Sequence, residues 1–188
     1  MILTDREIQI ALEHGAIIID PLPTEQAYSS TSVDLTLDSS LSEYREGAKG
    51  LDRIADPGLP DFDHEAAAAE LLTQITIPKG GYVFEPKHLV LAWTREYVEL
   101  KTQARLAARV EGKSSLARYG IMVHMTAPVI HAGFPGQIRL EMFNNGKIPV
   151  RLRAGMRICQ LVFEQTLGTP VRGYKGRFSG QTAGKRKG

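Results

Sequence analysis

One short segment of this chain carries the residue types that bind a polyphosphate. Residues 109–118 place a glycine, a lysine and two serines in a row, with an arginine at either end. Glycine lets a backbone approach its ligand closely, and lysine, arginine and serine side chains donate hydrogen bonds to phosphate oxygens. We therefore predict that this segment binds phosphate through Lys113, Ser114, Ser115 and Arg118. Each of these residues taken singly also fits a plain turn or a surface position.

A lone carboxylate follows on a segment with the two-residue period of a β-strand. Ile138, Leu140 and Met142 share one face of this segment, whereas Arg139 and Glu141 share the other. Most carboxylates on the polar face of a strand are simply solvated. In the company of a phosphate-binding segment, however, Glu141 becomes a candidate base that acts on a bound nucleotide.

The C-terminal part of the chain is a distinct cationic segment. No acidic residue follows Glu164, and without the six basic residues of this segment the chain keeps 17 basic residues against 21 acidic ones. We predict that residues 165–188 form a basic arm that closes over the ligand, with Lys175 and Arg177 reaching phosphates and Tyr174 covering a sugar or base. The alternative is a solvated tail. Nucleic-acid binding is disfavoured, because the rest of the chain is acidic and the arm has few aromatic residues.

Length and composition indicate one soluble domain, residues 1–188. No apolar run approaches the roughly 18 residues that a membrane span needs, and the N-terminus lacks the order of a secretory signal. A single cysteine, Cys159, rules out an internal disulfide and a cysteine-rich zinc site. We expect a cytoplasmic protein that does not bind a membrane.

Local signals predict a mainly β protein with two short helices. Thr4 and Glu7 match a capping box that begins a helix at residues 5–14. A second helix is predicted at residues 63–72, after a surface excursion at residues 48–62 that is rich in glycine, proline and aspartate.

From residue 74 onward the chain reads as short strands separated by glycine and proline turns, which is the pattern of a sandwich, jelly roll or barrel. Alternation within residues 32–37 puts Asp34 on the face opposite Val33 and Leu35. His124 lies in an apolar strand and is expected to be structural. The predicted strands are residues 16–19, 32–37, 75–77, 82–84, 89–93, 106–110, 121–124, 138–142, 150–152 and 158–163.

Several of these segments together resemble the dCTP deaminase branch of the dCTP deaminase/dUTPase superfamily. The resemblance spans nearly the whole chain, and Gly-Lys-Ser-Ser-Leu-Ala-Arg combined with Leu-Glu at this spacing is specific to it. It implies a distorted β-barrel or jelly roll, and a homotrimer in which a neighbouring subunit completes each site. The matching segments are residues 32–37, 109–118, 123–127, 133–136, 140–141, 160–164 and the arm as far as Gln181.

The same resemblance implies an activity and a set of residue roles. These enzymes convert dCTP to dUTP and ammonia for thymidylate synthesis, hold Mg²⁺ through the triphosphate rather than through side chains, use no zinc, and are inhibited by dTTP. Glu141 would be the general base, oriented with its water by Ser114, Arg118 and the carbonyl of Ala127. The implied substrate-binding residues are Lys113, Ser114, Ser115, Leu116, Ala117, Arg118, His131, Arg139, Leu140, Glu141, Gln160, Tyr174, Arg177 and Gln181.

The cysteine count supports a zinc-independent reaction on separate grounds. Replacing the amino group of cytosine requires a nucleophilic water, which zinc deaminases activate with a His-x-Glu and Pro-Cys-x-x-Cys set. One cysteine cannot supply that set. A deaminase built on this sequence must therefore activate water with protein groups alone.

Two residues depart from the pattern of the superfamily. His131 stands where dUTPases and many of the deaminases carry an aspartate, which lowers our expectation of strong dUTP hydrolysis, although histidine still hydrogen-bonds a sugar. Lys113 replaces a frequent arginine and so keeps the charge without the planar fork. A dUTPase, a bifunctional enzyme that yields dUMP and pyrophosphate, and a nucleotide-binding regulator without turnover remain as alternatives.

Overall fold

The computed structural model describes residues 1–45, 55–176 and 179–183. Part of the predicted surface excursion therefore lies outside the described residues. The α-helices within them are α1 (Asp5–Glu13), α2 (His64–Leu71) and α3 (Ser114–Ala117). The strands are β1 (Ile17–Asp20), β2 (Tyr28–Ser29), β3 (Ser32–Tyr44), β4 (Leu72–Thr76), β5 (Tyr82–Phe84), β6 (Leu89–Leu100), β7 (Leu106–Gly112), β8 (Ile121–Met122), β9 (Val129–Ile130), β10 (Pro135–Asn144), β11 (Val150–Leu152) and β12 (Arg157–Gln165).

Most of these strands belong to one antiparallel sheet in the order β8-β10-β6-β3-β12-β7-β9, with β1 added to β6 and with β2 and β4 added to β3. Strands β5 and β11 form a small second sheet. The large sheet curls into a half-barrel, and its register shifts between β10 and β6, between β3 and β6, and between β12 and β3. Such bulges increase local twist, which suits a sheet that wraps around its core. The prediction of a mainly β, distorted barrel is confirmed.

Strand β10 alternates between buried and partly exposed side chains along its whole length. Its inward face carries Ile138, Leu140 and Met142, as predicted, and these residues join the core together with Phe84 and Phe163. Each such side chain contributes about 1.5–3 kcal/mol when it leaves water. The core therefore determines which face of β10 points outward.

Several strands are longer than predicted. Strand β3 continues to Tyr44 and β6 to Leu100, because partner strands on both sides carry them past polar residues that interrupt the hydrophobic alternation. Asp34 lies in the central strand β3 and is only 4% exposed, although its predicted face was the polar one. Strands β2 and β9 have two residues each, which is too short for a periodic signal.

The helices agree with prediction except at two points. Helix α1 begins at Asp5 as predicted, but the capping box is wrong: the Thr4 hydroxyl donates to the Glu7 carboxylate and not to a backbone amide. That hydrogen bond lowers the pKa of Glu7 below its ordinary value. Helix α3 is a single turn where the sequence indicated only turn-forming serines.

A fully buried amide, Asn144, ties three chain segments together at the end of β10. Its Nδ2 donates to the carbonyls of Phe84 (2.9 Å) and Ile148 (3.1 Å), and its Oδ1 accepts from the amide of Gly146 (2.9 Å). Every polar atom of the side chain therefore has a partner, which is what burial demands.

The same corner anchors the segment that follows α3. The amide of Asn145 donates to the carbonyl of Gly120 (2.9 Å), and a Cβ on Gly146 would lie 2.0 Å from the Tyr119 carbonyl oxygen. Only glycine permits this approach. The predicted phosphate-binding segment is thus held at its C-terminal side by the corner that Asn144 organises.

We expect Asn144→Leu to lower the free energy of unfolding by about 3 kcal/mol, because it leaves buried backbone groups without partners. Urea denaturation followed by circular dichroism measures the change. Asn145→Ala is the matched control, since Asn145 is exposed and its side chain accepts from Lys87 at the surface. Equal stability of the Asn144→Leu variant and the parent protein would contradict this role of the buried amide.

Candidate active site

The predicted phosphate-binding segment lies at the end of β7 and continues into α3. Ser114, Ser115, Ala117 and Arg118 are exposed there, whereas Leu116 packs partly against the core. The strand holds the first part of the segment and Leu116 holds the helical turn. The exposed hydroxyls and guanidinium are consequently free to meet a ligand from solvent.

Lys113 is fixed at the start of α3 by a buried carboxylate. Its Nζ lies 2.5 Å from Oδ1 of Asp34, and Nη1 of Arg157 lies 3.3 Å from the other oxygen, Oδ2. The Asp34 side chain is only 2% exposed. A carboxylate that is buried this deeply needs opposite charges and hydrogen bonds around it, and the two cations supply them.

Gln160 of β12, which the resemblance assigns to substrate binding, connects β3 to the end of β7. Its Nε2 donates to the carbonyl of Gly112 (3.0 Å), and its Oε1 accepts from the Ser32 hydroxyl (2.8 Å). Gln160 lies opposite Asp34 on β3 and opposite Glu111 on β7. The side chain therefore fixes the end of β7, where the phosphate-binding segment begins.

Glu141 projects from the outer face of β10 and is partly exposed. Within the described residues, no hydrogen bond or ion pair engages its carboxylate. Leu140, the adjacent residue, is fully buried in the core, so only its backbone is available to a ligand. The carboxylate of Glu141 therefore projects from a paired strand without a hydrogen-bond or ion-pair partner among the described residues.

Arg139 lies on the same outer face, two residues before Glu141. Its guanidinium carbon is 4.4 Å from the centroid of the Trp93 ring, and its Nη2 donates to the Ser42 hydroxyl (3.1 Å). Burial lowers the pKa of Arg139, and the nearby charges of Glu141 and Tyr44 oppose that shift.

The C-terminal arm docks against the beginning of β10. The amide of Gln137 donates to the carbonyl of Gln181 (2.9 Å), and Nε2 of Gln181 donates to the carbonyl of Gln137 (3.0 Å). The amide of Ala183 adds a bond to Oε1 of Gln137 (2.7 Å). Predicted substrate residue Gln181 is thereby held near the outer face of β10, whereas Arg177 lies outside the described residues.

The first part of the arm contacts His131, which stays exposed. The rings of His131 and Tyr174 stack with centroids 5.7 Å apart, and the Tyr174 amide donates to the Ala132 carbonyl (2.9 Å). Gly133 has φ +84°, and a Cβ there would lie 2.8 Å from the Tyr174 amide nitrogen. This glycine is required both by its backbone conformation and by the close approach of the arm.

The predicted site residues within the described part of the chain lie in three groups. One comprises Lys113 and Gln160 with the exposed residues of α3, another comprises Arg139 and Glu141, and the last is the docked arm. Ala127 is exposed between β8 and β9. Sequence reasoning did not assign roles to Ser32, Ser42, Trp93, Gln137 or Arg157, since their contacts join distant segments; for Asp34 it gave only the strand face.

Cys159 is fully buried, and burial raises the pKa of its thiol well above the ordinary value. Among the described residues, no group of three or more His, Cys, Asp or Glu side chains is arranged to hold a metal ion. None of the helices in the described part of the chain has the length and apolar character that crossing a bilayer requires.

Comparison with known proteins identifies relatives of this chain. A family model described as dCTP deaminase-like matches residues 2–166. A Methanobrevibacter smithii protein named "dCTP deaminase, dUMP-forming" is 41% identical over 171 residues, covering 90% of this chain and 82% of its own length. A protein of Shewanella sp. strain ANA-3 named "dCTP deaminase" is 38% identical over 179 residues, covering 94% of this chain and 90% of its own.

Solved structures agree on the architecture. The 2′-deoxycytidine 5′-triphosphate deaminase of Agrobacterium tumefaciens aligns with a TM-score of 0.65 at 23% identity, over 86% of this chain and 47% of that one, so this chain spans about half of its length. A Staphylococcus bacteriophage 80alpha dUTPase variant aligns with a TM-score of 0.50 at 11% identity, over 87% of this chain and 90% of that one.

These structural likenesses define the architecture as a dUTPase-like β-fold. The family model and the sequence identities identify the chain more narrowly: it belongs to the dCTP deaminase-like family.

We expect Gly136→Ala to loosen the docked arm, because the added Cβ would lie 2.9 Å from the carbonyl oxygen of Gln181. Limited trypsin digestion should then cleave the arm after Arg172 or Lys175 severalfold faster than in the parent protein. Gly168→Ala is the matched control, since nothing lies within 4 Å of that position. Unchanged cleavage of the Gly136→Ala variant would show that the arm is not seated on β10.

Proposed function

We propose that this chain hydrolyses dCTP to dUTP and ammonia, without zinc, and that Glu141 is its general base. The observation that carries the proposal is the unpaired carboxylate of Glu141 on a rigid strand in a chain whose relatives are named dCTP deaminase. The names of those relatives supply the substrate. The free carboxylate supplies a group able to move protons.

The chemistry needs one proton acceptor that also returns the proton. Glu141 takes a proton from a water molecule while the oxygen of that water bonds to C4 of cytosine. The carboxylate passes this proton to the ring nitrogen N3 as the C4=N3 bond opens. The C4–N4 bond of the tetrahedral intermediate then breaks, and proton transfer through the carboxylate lets nitrogen leave as ammonia. Ser114, Arg118 and the Ala127 carbonyl orient the water and the carboxylate in this proposal.

The triphosphate binds to the group built on α3. Lys113, Ser115 and Arg118 donate to phosphate oxygens in this proposal, and Arg177 and Gln181 of the arm are proposed as further contacts of the nucleotide. Mg²⁺ fits this arrangement as an ion carried by the nucleotide, because both oxygens of the nearby Asp34 are already occupied by cationic side chains. When bound, the ion neutralises phosphate charge.

A second candidate function is formation of dUMP and pyrophosphate from dCTP. The relatives from Methanobrevibacter smithii and Persephonella marina, 41% and 38% identical, are both named as dUMP-forming. His131, stacked on Tyr174 beside the arm, then becomes the residue near the sugar that would replace the expected aspartate. Chromatography of the products from dCTP and Mg²⁺ distinguishes the two functions: dUTP with ammonia supports the first, and dUMP with pyrophosphate supports the second.

Glu141→Gln should lower kcat for ammonia release by about 10²–10⁴-fold, because the amide cannot take a proton from water. Binding of dCTP, measured by isothermal titration calorimetry, should remain. Gln74→Ala on an exposed position of β4 is the control for a neutral surface change. Ammonia release at the parental rate by the Glu141→Gln variant would reject Glu141 as the base.

We also propose that the active unit is a homotrimer in the cytoplasm that dTTP inhibits, with each site completed by a neighbouring subunit. Support comes from Glu141, whose carboxylate has no hydrogen bond or ion pair with α3 among the described residues. Exposed apolar side chains follow α3 and would be covered by such a neighbour: Tyr119, Met122, Met125 and Val129.

Subunit sharing predicts that two inactive variants rescue each other. Glu141→Gln and Arg118→Ala proteins, each of low activity, should regain activity when they are unfolded together and refolded as a mixture. About a quarter of the sites in randomly mixed trimers would hold both intact residues. Each variant refolded alone is the control, and light scattering checks assembly. Co-assembled trimers without recovered activity would show that both residues of a site come from one subunit.

A further inference from the structure

The side chains around Arg139 form a bridge across three neighbouring strands on the outer face of the sheet. Arg139 of β10 lies opposite Trp93 of β6, Glu141 lies opposite Leu91, and Leu91 lies opposite Ser42 of β3. Residues that are directly opposite share a face of the sheet. The Arg139 side chain therefore runs over Trp93 toward Ser42, away from its own strand.

In another orientation, the Arg139 side chain could form an ion pair with Glu141. Arg139 and Glu141 are two residues apart on one face, so their Cα atoms are about 7 Å apart, which is within the reach of an arginine side chain. Yet none of the ion pairs among the described residues joins them. The guanidinium instead contacts the Trp93 ring at 4.4 Å and the Ser42 hydroxyl at 3.1 Å.

Trp93 and Ser42, the two side chains that the guanidinium contacts, are well placed to hold it. Trp93 is 8% exposed and Ser42 is 3% exposed, so the contacts form largely out of water. A tryptophan face is the best aromatic partner for an arginine, and shielding from water strengthens both this contact and the hydrogen bond. The attraction between Arg139 and Glu141 persists, as its opposing effect on the pKa of Arg139 indicates.

We infer that Trp93 and Ser42 are positioning residues that hold the Arg139 guanidinium off Glu141, so that the carboxylate stays unpaired and available for proton transfer. The inference rests on the proposed function of Glu141. A carboxylate in an ion pair with arginine is a weaker base, and the guanidinium would also occupy the space of the attacking water. An unrestrained Arg139 would therefore inhibit the reaction from within the site.

The test is a double-mutant cycle on the full-length protein with dCTP and Mg²⁺. Trp93→Leu should lower kcat by about tenfold, with little change in KM, because it releases Arg139 onto Glu141. In the Arg139→Met background the same Trp93→Leu change should lower kcat much less, since no guanidinium then remains to pair with the carboxylate. Trp93→Phe keeps an aromatic face and should retain more activity than Trp93→Leu. Arg139→Met alone completes the cycle and reports, through KM, any direct contact of Arg139 with substrate.

Ser42→Ala gives an independent arm of the test that removes one hydrogen bond and leaves the packing of Trp93 intact. It should lower kcat in the same direction by a smaller factor, and Arg139→Met should relieve that loss too. An unaltered kcat in both Trp93→Leu and Ser42→Ala proteins, or losses that are just as large when Arg139 is already replaced by methionine, would overturn the inference. Glu141→Gln in the same assay tests the proposed function separately from this inference. If that variant keeps full activity, the proposed role of Glu141 fails instead.

Discussion

The alternation of β10 is the constraint on which the fold and the site both depend. Because successive side chains point to opposite faces, a slip of one residue would bury Glu141 and expose Leu140. The register is fixed at one end by the Thr94 hydroxyl, which accepts from the Ile138 amide at 2.9 Å, and at the other by the buried amide of Asn144. Packing in the core therefore determines where the carboxylate points.

Local periodicity was sufficient to predict the elements that depend on it. The inward face of β10, helix α1 and strands β5 and β11 follow from hydrophobic spacing alone. The extra lengths of β3 and β6 do not, because bulges interrupt the alternation and only pairing with distant strands restores it. The sequence predicts an element where its own hydrophobic pattern is unbroken, and it misses those parts of a strand that only pairing maintains.

The candidate site also combines features that sequence can suggest with features that it cannot. Residue types are the basis for predicting phosphate binding by residues 109–118 and a base at Glu141, since a glycine, cations and hydroxyls have recognisable chemistry in sequence, and both remain predictions. Neither the burial of Asp34 nor the hydrogen bonds between the arm and Gln137 could be predicted, because each depends on segments far apart in the chain. Gly133 is a similar case: its need for glycine comes from the approach of Tyr174.

Asp34 and Glu141 carry the same carboxylate group, but their surroundings differ. Asp34 is buried between Lys113 and Arg157, so both of its oxygens are committed and its contribution is to fix the phosphate-binding segment. Removing one partner of such a buried pair costs about 3–5 kcal/mol. Glu141 has a cation only two residues away on the same strand, yet the Arg139 guanidinium contacts the Trp93 ring instead. The contrast lies in the neighbours, because a carboxylate with committed oxygens stabilises the fold, whereas one without a partner keeps its capacity to accept a proton.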